Sequence, residues 1–523
     1  MYSFGVIKAL GFMFLGSILM TWFACQQQEN SGEKMQFLEA SIPELQAALD
    51  EGVVTSEDLV EIYLDRITAY DQQGPSLNAI SVTNPDAMEN AQALDAERKT
   101  SGVRGPLHGI PVVVKDNYET VGMQTAGGSA SLAGWIPPHD AFLVKRLREA
   151  GAIILAKTNM HEFAMGVTNL GSLFGQTRNP YHLDRNPGGS SGGTGAAVAA
   201  NFATIGMGSD TCGSVRIPAS HNSLVGIRGT QGLASRTGII PLSHTQDIGG
   251  PLGRSVVDVA IVLDAIAGYD PADPETAESV GNIPESYTAF LREEGLRGAR
   301  IGLLTNLLSK APEDEQVARV IRRAMSEMEH QGATVIEVAI PGLDELMLDR
   351  DGGFLVLTYE FREDLNNYLD QHPSAPVRSL KEIVQSGKYH PKMASRLHER
   401  QNSLPTETPE YSEILLKRVV LKRVVLQLMA DNNLDVLAYP TIRQIAAPLG
   451  EDQEGSNCHL SANSGLPSIT VPAGFIEEGL PVGLELLGRA WSEGLLIELA
   501  YAYEQFSHHR LSPGSTPPLH DHE

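Results

Sequence analysis

The chain has 523 residues, 42% of them hydrophobic, which is enough for a large buried core and argues against disorder. A formal net charge of -25 argues against a nucleic-acid backbone as the main partner, because phosphate binding needs clustered Lys and Arg. The three cysteines, Cys25, Cys212 and Cys458, lie far apart with no CxxC pair, so neither a disulfide framework nor a zinc knuckle is expected.

In chain order, Lys8 precedes the short apolar run ALGFMFLGSILMTWFAC, and the polar QQQENSGEK follows. This is the layout of a secretory signal peptide, rather short for a membrane span. Cleavage before Cys25 would make it the lipid-bearing first residue, and the segment resembles a bacterial lipoprotein leader, although Trp22 and Phe23 depart from that pattern. Residues 1–35 are therefore expected to be leader and spacer, and the protein to be exported to the periplasm or held at a membrane by Cys25.

Next, SIPE (41–44) and TSED (55–58) predict two capped helix starts, the second carrying Leu59, Tyr63 and Ile67 at helical spacing. GIPVVVKD (109–116) and GAIILAKT (151–158) read as buried strands, with a helix over 141–150 between them. The alternation returns as a strand at 299–304, a helix at 315–331 and a strand at 333–340. Two further strands are expected at 434–440 and 467–474. Strands alternating with helices predict an α/β fold with a largely buried sheet. The stretch 340–430 is more helical and charged, and its tandem LKRVV (416–425) reads as part of an amphipathic helix. No linker interrupts the chain after residue 40, so 36–510 is expected to be one unit with an insertion, and 511–523 a polar tail.

Two segments carry the chemistry. GGSSGGTGAAVAA (188–200) sets two hydroxyls, Ser190 and Ser191, in a glycine loop that runs into a buried helix. Read literally it contains G-x-S-x-G, but TRNPYHLDRNP precedes it, and turn chemistry there is incompatible with the strand a nucleophile elbow requires. In GSDTCGSVRIPAS (208–220), a glycine just before Ser214 lets successive backbone N–H groups point into one hollow suited to an oxyanion. Asp210 and Arg216 flank that turn, and a salt bridge or a backbone-holding role is expected of them rather than catalysis. Serine needs a base. No histidine sits in a comparably shaped segment, whereas Lys115 ends an apolar run, where burial could keep it neutral. HEFAM at His161 lacks a second histidine at i+4, and no metal or other cofactor is expected.

Strand–Lys–Asp, then GGSSGG, then GS-R-PA together resemble the amidase signature family of amide hydrolases, most specifically over Leu107–Val257. GLPSITVPAGF and GLPVGLELLGRAW extend a weaker likeness towards the C-terminus. The resemblance implies a single α/β/α domain with a central mixed sheet covered by helices on both faces. It implies that Lys115 is the base, Ser190 a bridging serine on a cis peptide bond and Ser214 the nucleophile, with the N–H groups of Thr211, Cys212, Gly213 and Ser214 stabilising the oxyanion. Thr125, Gly127, Phe163, Met165 and Ser191 are expected on the substrate side. Cys212 stands where many relatives have glycine and is expected to be a tolerated variant, not a nucleophile. RGPLHGIP, LPVGL and AWSEGLLIELAYAYEQ look like bacterial peptide amidases, which release ammonia from C-terminally amidated peptides. The alternatives are an aryl-acylamide or other small-amide hydrolase, or the glutaminase subunit of a tRNA-dependent amidotransferase, which an export signal disfavours. A catalytically dead surface-binding protein is disfavoured by the intact Lys115, Ser190 and Ser214.

Overall fold

A computed structural model describes residues 37–347 and 355–519, so the leader and Cys25 lie outside the described residues. The first helices are α1 (Ile42–Glu51) and α2 (Ser56–Ile67). Both begin where their capping sequences predict, and at α2 the Thr55 hydroxyl accepts from Asp58 N–H while the Asp58 carboxylate accepts from Thr55 N–H.

The sheet strands are β1 (Ile80–Thr83), β2 (Pro111–Lys115), β3 (Ile153–Thr158), β4 (Ile205–Asp210), β5 (Val225–Arg228) and β6 (Ile248–Gly253). They continue as β7 (Arg300–Leu304), β8 (Thr334–Val338), β9 (Val436–Pro440), β10 (Ser468–Phe475) and β11 (Pro481–Leu487). They form one 11-stranded sheet in the order β1-β3-β2-β4-β6-β5-β10-β11-β9-β7-β8. β2 is parallel to both β3 and β4, whereas β4 is antiparallel to β6, so the sheet is mixed.

Both faces are covered, and the alternation along β2 states why. Val112 and Val114 belong to a core that includes α1, α3 (Phe142–Glu149), α6 (Val256–Ile266), α7 (Glu315–His330) and α13 (Glu493–Ser507). Val113 faces the opposite core, with α2 and α4 (Gly192–Ala199). Successive strand residues point to opposite faces, so a run of β-branched residues fills two cores at once.

The 340–430 region supplies α8 (Leu355–Gln371), α9 (Leu380–Ser386), α10 (Ala394–Gln401) and α11 (Pro409–Asp431). Leu365, Leu380 and Leu397 share a third core with Ala126, Met160, Phe163, Met165 and Leu242, so this insertion roofs the loops that follow β2 and β3. The tandem LKRVV lies within α11, which buries Leu421 and Val425 and exposes Leu416 and Val419. The expected polar tail is docked over its described part: Arg66 donates to the carbonyls of Thr516 (2.8 Å) and Pro517 (3.0 Å). Among the described residues, no helix is long and apolar enough to cross a membrane.

The largest departure from the sequence reading is β4, whose IGMGSD carries no strand periodicity. A Cβ on Gly206 would sit 2.3 Å from Thr194 Cγ2. The glycine is there so that α4 can lie directly on the strand, and close packing replaces the usual β-branched signal.

Candidate active site

β2 and β4 run parallel with Val114 beside Met207, so their C-terminal ends emerge side by side. Lys115 ends β2, and Ser209 and Asp210 end β4. The Ser190 loop packs across both, because α4 starts at Gly192 and is held against β4. Parallel strand ends at a crossover are where α/β sheets place ligands.

Lys115 is fully buried. Its Nζ lies 2.6 Å from Ser190 Oγ, 2.9 Å from Ser209 Oγ and 3.2 Å from the Ser209 carbonyl oxygen. No carboxylate is within ion-pair distance of it among the described residues, so burial lowers its pKa to about 7, against the opposing pull of Asp210 and Asp247. Asn117 donates to Ser209 Oγ at 2.9 Å, which fixes that hydroxyl. The Gly189–Ser190 peptide bond is cis. The Ser190 carbonyl accepts from His161 N–H at 3.1 Å, and Ser191 N–H donates to the Ser214 carbonyl at 3.2 Å. The two serine loops are thus joined through backbone.

Ser214 sits in the turn from β4 to α5 (Arg216–His221), 3% exposed. The Asp210 carboxylate accepts from the N–H groups of Gly213 (2.7 Å) and Val215 (3.1 Å). It also pairs with Arg216 (3.1 Å) and Arg228 (3.2 Å), and Arg216 pairs with Glu485, all with side chains fully buried. The two guanidinium groups hold the Asp210 carboxyl far below the usual range despite its burial. Arg216 and Asp210 were expected to hold backbone, and they do. Gly213 takes φ 83°. A Cβ there would meet Ile217 and, at 2.8 Å, Cys458 Cβ.

Cys212 overturns the sequence reading. Its sulfur is bonded to that of Cys458, 246 positions away. The spacing hid the pair because nothing local relates them; only the return of the chain after β9 brings Cys458, at the cap of α12 (His459–Ser464), onto the turn. Cys212 is a cross-link in the cavity wall rather than a passive substitute for glycine.

The oxyanion expectation narrows. Gly213 N–H is committed to Asp210, whereas the N–H groups of Thr211, Cys212 and Ser214 have no protein acceptor among the described residues. The Thr211 hydroxyl donates to Asp247 at 2.5 Å, and its carbonyl accepts from Gln246 at 3.1 Å, which pins the turn from the other side.

In front of Ser214 lies a cavity of about 830 Å³, whose walls include Thr211, Cys212, Cys458, His161 and Met165. Of the residues expected on the substrate side, Met165 lines it. Thr125, Gly127, Phe163 and Ser191 do not. Thr125 instead accepts from buried Lys157 (2.9 Å), Phe163 stacks edge-on against Phe361, and Ser191 donates to the Ser209 carbonyl (3.3 Å). Gly127 is buried behind Phe163, whose N–H donates to its carbonyl. Their loops are near the site, but their side chains support its walls. Burial pulls the pKa of His161 down to about 3 and that of His459 to about 4, so neither is a cation at neutral pH. Sequence reasoning missed Ser209, Asn117, Asp247 and the distal wall from α8 and α10. Asn117, two positions after Lys115, was the only one with a local signal.

Two clusters each bring three metal-ligating side chains together among the described residues. Cys212, Cys458 and His459 is consumed by the disulfide; His244, Glu360 and Asp364 is internally paired, with His244 Nδ1 2.9 Å from Asp364.

The amidase family model matches residues 58–497. A glutamyl-tRNA(Gln) amidotransferase subunit from Moorella thermoacetica is 37% identical, over 90% of this chain and 97% of its own length. A probable amidase of Arabidopsis thaliana is 36% identical, over 89% of this chain and 90% of its own length. The native peptide amidase of Stenotrophomonas maltophilia superposes with a TM-score of 0.85 at 40% identity, covering 92% of this chain and 99% of that one. A peptide amidase has also been crystallised with the competitive inhibitor chymostatin. With the mixed sheet and this site in place, the chain belongs to the amidase signature family and is an amide hydrolase.

Proposed function

We propose that this is an exported hydrolase that releases ammonia from C-terminal peptide amides or similar primary amides through Lys115, Ser190 and Ser214. The observation that carries the relay is Lys115: buried, without an ion-pair partner among the described residues, and 2.6 Å from Ser190 Oγ beside the turn that holds Ser214. Neutral Lys115 takes the Ser190 proton as Ser190 takes that of Ser214, and Ser214 Oγ attacks the amide carbon. The carbonyl oxygen becomes an oxyanion held by the free N–H groups of Thr211, Cys212 and Ser214. The C–N bond then breaks as Lys115 returns the proton through Ser190 to the leaving nitrogen. Water enters by the reverse route, its oxygen joining the acyl carbon and its proton passing to Lys115, and Ser214 Oγ leaves with a proton restored.

Peptide amides are favoured by the 40% identity to a peptide amidase over nearly its whole length. The rival reading, a glutaminase subunit, is favoured by the 37% identical amidotransferase relative. Two features weigh against it. The N-terminal run has signal-peptide layout, and the cavity wall contains a disulfide, which belongs in an oxidising compartment. Assaying ammonia release by the purified chain alone, from amidated dipeptides, aliphatic and aryl amides and free glutamine, separates the readings. Turnover of amidated peptides without ATP or a partner is expected. Glutamine as the sole substrate would overturn the assignment. Export and acylation at Cys25 are tested by mass spectrometry of the mature N-terminus.

A further inference from the structure

Three arginines line the cavity: Arg396 and Arg400 from α10 of the helical insertion, and Arg443 from the segment after β9. Arg443 pairs with Asp314 at 3.2 Å, and Arg396 donates to the Met165 carbonyl. Arg400, near the end of α10, is different. It is only 6% exposed, yet its side chain makes no hydrogen bond or ion pair among the described residues, and its Nη1 is buried with no acceptor. Its one partner is the Phe361 ring, 5.4 Å from the guanidinium carbon, which covers a face of the group and leaves its N–H edge unused. Its exposed neighbour Glu399, which lines the same cavity, acts on it through charge but forms no ion pair with it among the described residues. A buried guanidinium without an acceptor is costly to a folded protein, and the cost is removed when an oxygen acceptor arrives. Met165, Leu242 and Leu357 line the same cavity together with the carboxylates of Glu399, Asp452 and Glu454, none of which is within ion-pair distance of Arg400.

We propose that Arg400 is the specificity-determining residue of this cavity, binding an acceptor oxygen on the acyl side of the substrate, either a backbone carbonyl or a carboxylate. This rests on the amide-hydrolase reading of the Ser214 site and names what that site selects. An amidated peptide presents such an oxygen on the residue preceding its terminal amide. A simple alkyl amide does not, and leaves Arg400 unpaired in the complex.

The test uses the full chain and three primary amides of similar length: an N-acetyl amino-acid amide, an alkanedioic acid monoamide and an unbranched alkanamide. Arg400→Met is expected to lower kcat/KM about 10- to 100-fold for the first two, mainly through KM, as loss of a hydrogen bond to a charged group does. The alkanamide should change by less than about threefold, and that internal control shows that the variant is folded and catalytically intact. Arg400→Gln, which keeps polar reach, provides a second variant should Met disturb the helix. Arg400→Lys distinguishes the two oxygens: it should rescue the carboxylate substrate more than the carbonyl one, because charge survives but the planar fork does not. Equal loss on all three amides would make Arg400 structural and overturn the proposal, as would no loss on any. Failure of the wild-type chain to hydrolyse any of the three would instead refute the amide assignment itself, and this inference with it.

Discussion

The two walls of the cavity are built on opposite terms. At the nucleophile turn every buried charge has a partner: Asp210 faces Arg216 and Arg228, and Glu485 closes the other side of Arg216. A disulfide fastens the same turn to the cap of α12. On the insertion wall, Arg400 is buried without an acceptor among the described residues. The chemistry end is held by its own contacts, as groups that must stay within fractions of an ångström require. The recognition end keeps bonding capacity for the ligand. A balanced network resists change, and an unbalanced one registers what enters.

The sharpest way to break the comparison is at the reacting atoms. Ser214→Ala and Lys115→Ala should each lower kcat by roughly 10⁴-fold, because members of a cooperating set fail together. Ser190→Ala should be milder if a water bridges Lys115 to Ser214. Steady-state ammonia release checks this, and near-normal turnover by Ser214→Ala would remove the mechanism.

Next comes the charge network. Asp210→Asn leaves Arg228 without a counter-charge and Arg216 with Glu485 alone, and Gly213 loses a charged acceptor. Breaking a buried pair by removing one partner costs about 3–5 kcal/mol. Chemical denaturation should therefore show a large loss, with activity falling even where the protein remains folded. An unchanged midpoint would mean that the turn is held by other contacts.

How much of this was legible in the sequence follows the same division. Lys115, Ser190 and Ser214 are each bracketed by local signals: an apolar run, a glycine loop and a glycine turn. The strand that carries Ser209 and Asp210 was invisible, because Gly206 and Gly208 replace the alternation that marks a strand. Arg216 and Asp210 were legible as a pair because they lie six positions apart. Arg228, Glu485 and Cys458 were not, since the topology alone brings them in. Thr125, Gly127, Phe163 and Ser191 show the limit of reading by segment. The right loops were identified, but which side chain faces the cavity depends on packing against α8 and β4.

The cross-link gives a smaller effect. Cys458→Ser removes the bond between the turn and α12, leaving Cys212 as a buried thiol. Loss of a disulfide costs about 2–4 kcal/mol, much of it through the unfolded chain. Thermal unfolding should move down, and dithiothreitol should lower the wild-type midpoint without moving that of the variant. Because Asp210 still clamps Gly213, the folded variant should keep much of its turnover. A variant stable but inactive would show that the disulfide shapes the oxyanion N–H groups directly.

The smallest effect is the pH response, and it assigns titration to one wall. His161 and His459, with pKa values drawn down to about 3 and about 4, are neutral throughout the working range. Lys115, fully buried beside Ser190 and lowered to about 7, changes charge near neutrality. Activity needs it unprotonated, so kcat/KM should fall about tenfold per pH unit on the acid side and level off above neutrality. The apparent value belongs to the coupled Lys115–Ser190–Ser214 set. Stability follows with a definite sign. From about 7 to its ordinary 10.5, Lys115 is protonated in the unfolded chain but not in the folded one, so its contribution to stability rises with pH across that window. Below about 7 both states carry the proton, and the contribution stays at its lower level. Arg400 keeps its charge across this range, so the KM difference between acceptor-bearing and plain amides should be flat between pH 6 and pH 8 while kcat/KM rises for both. An acid optimum near pH 4 would replace the lysine base with a carboxylate. A KM difference that moved with the activity curve would join the two walls into a single titrating system and end the distinction between them.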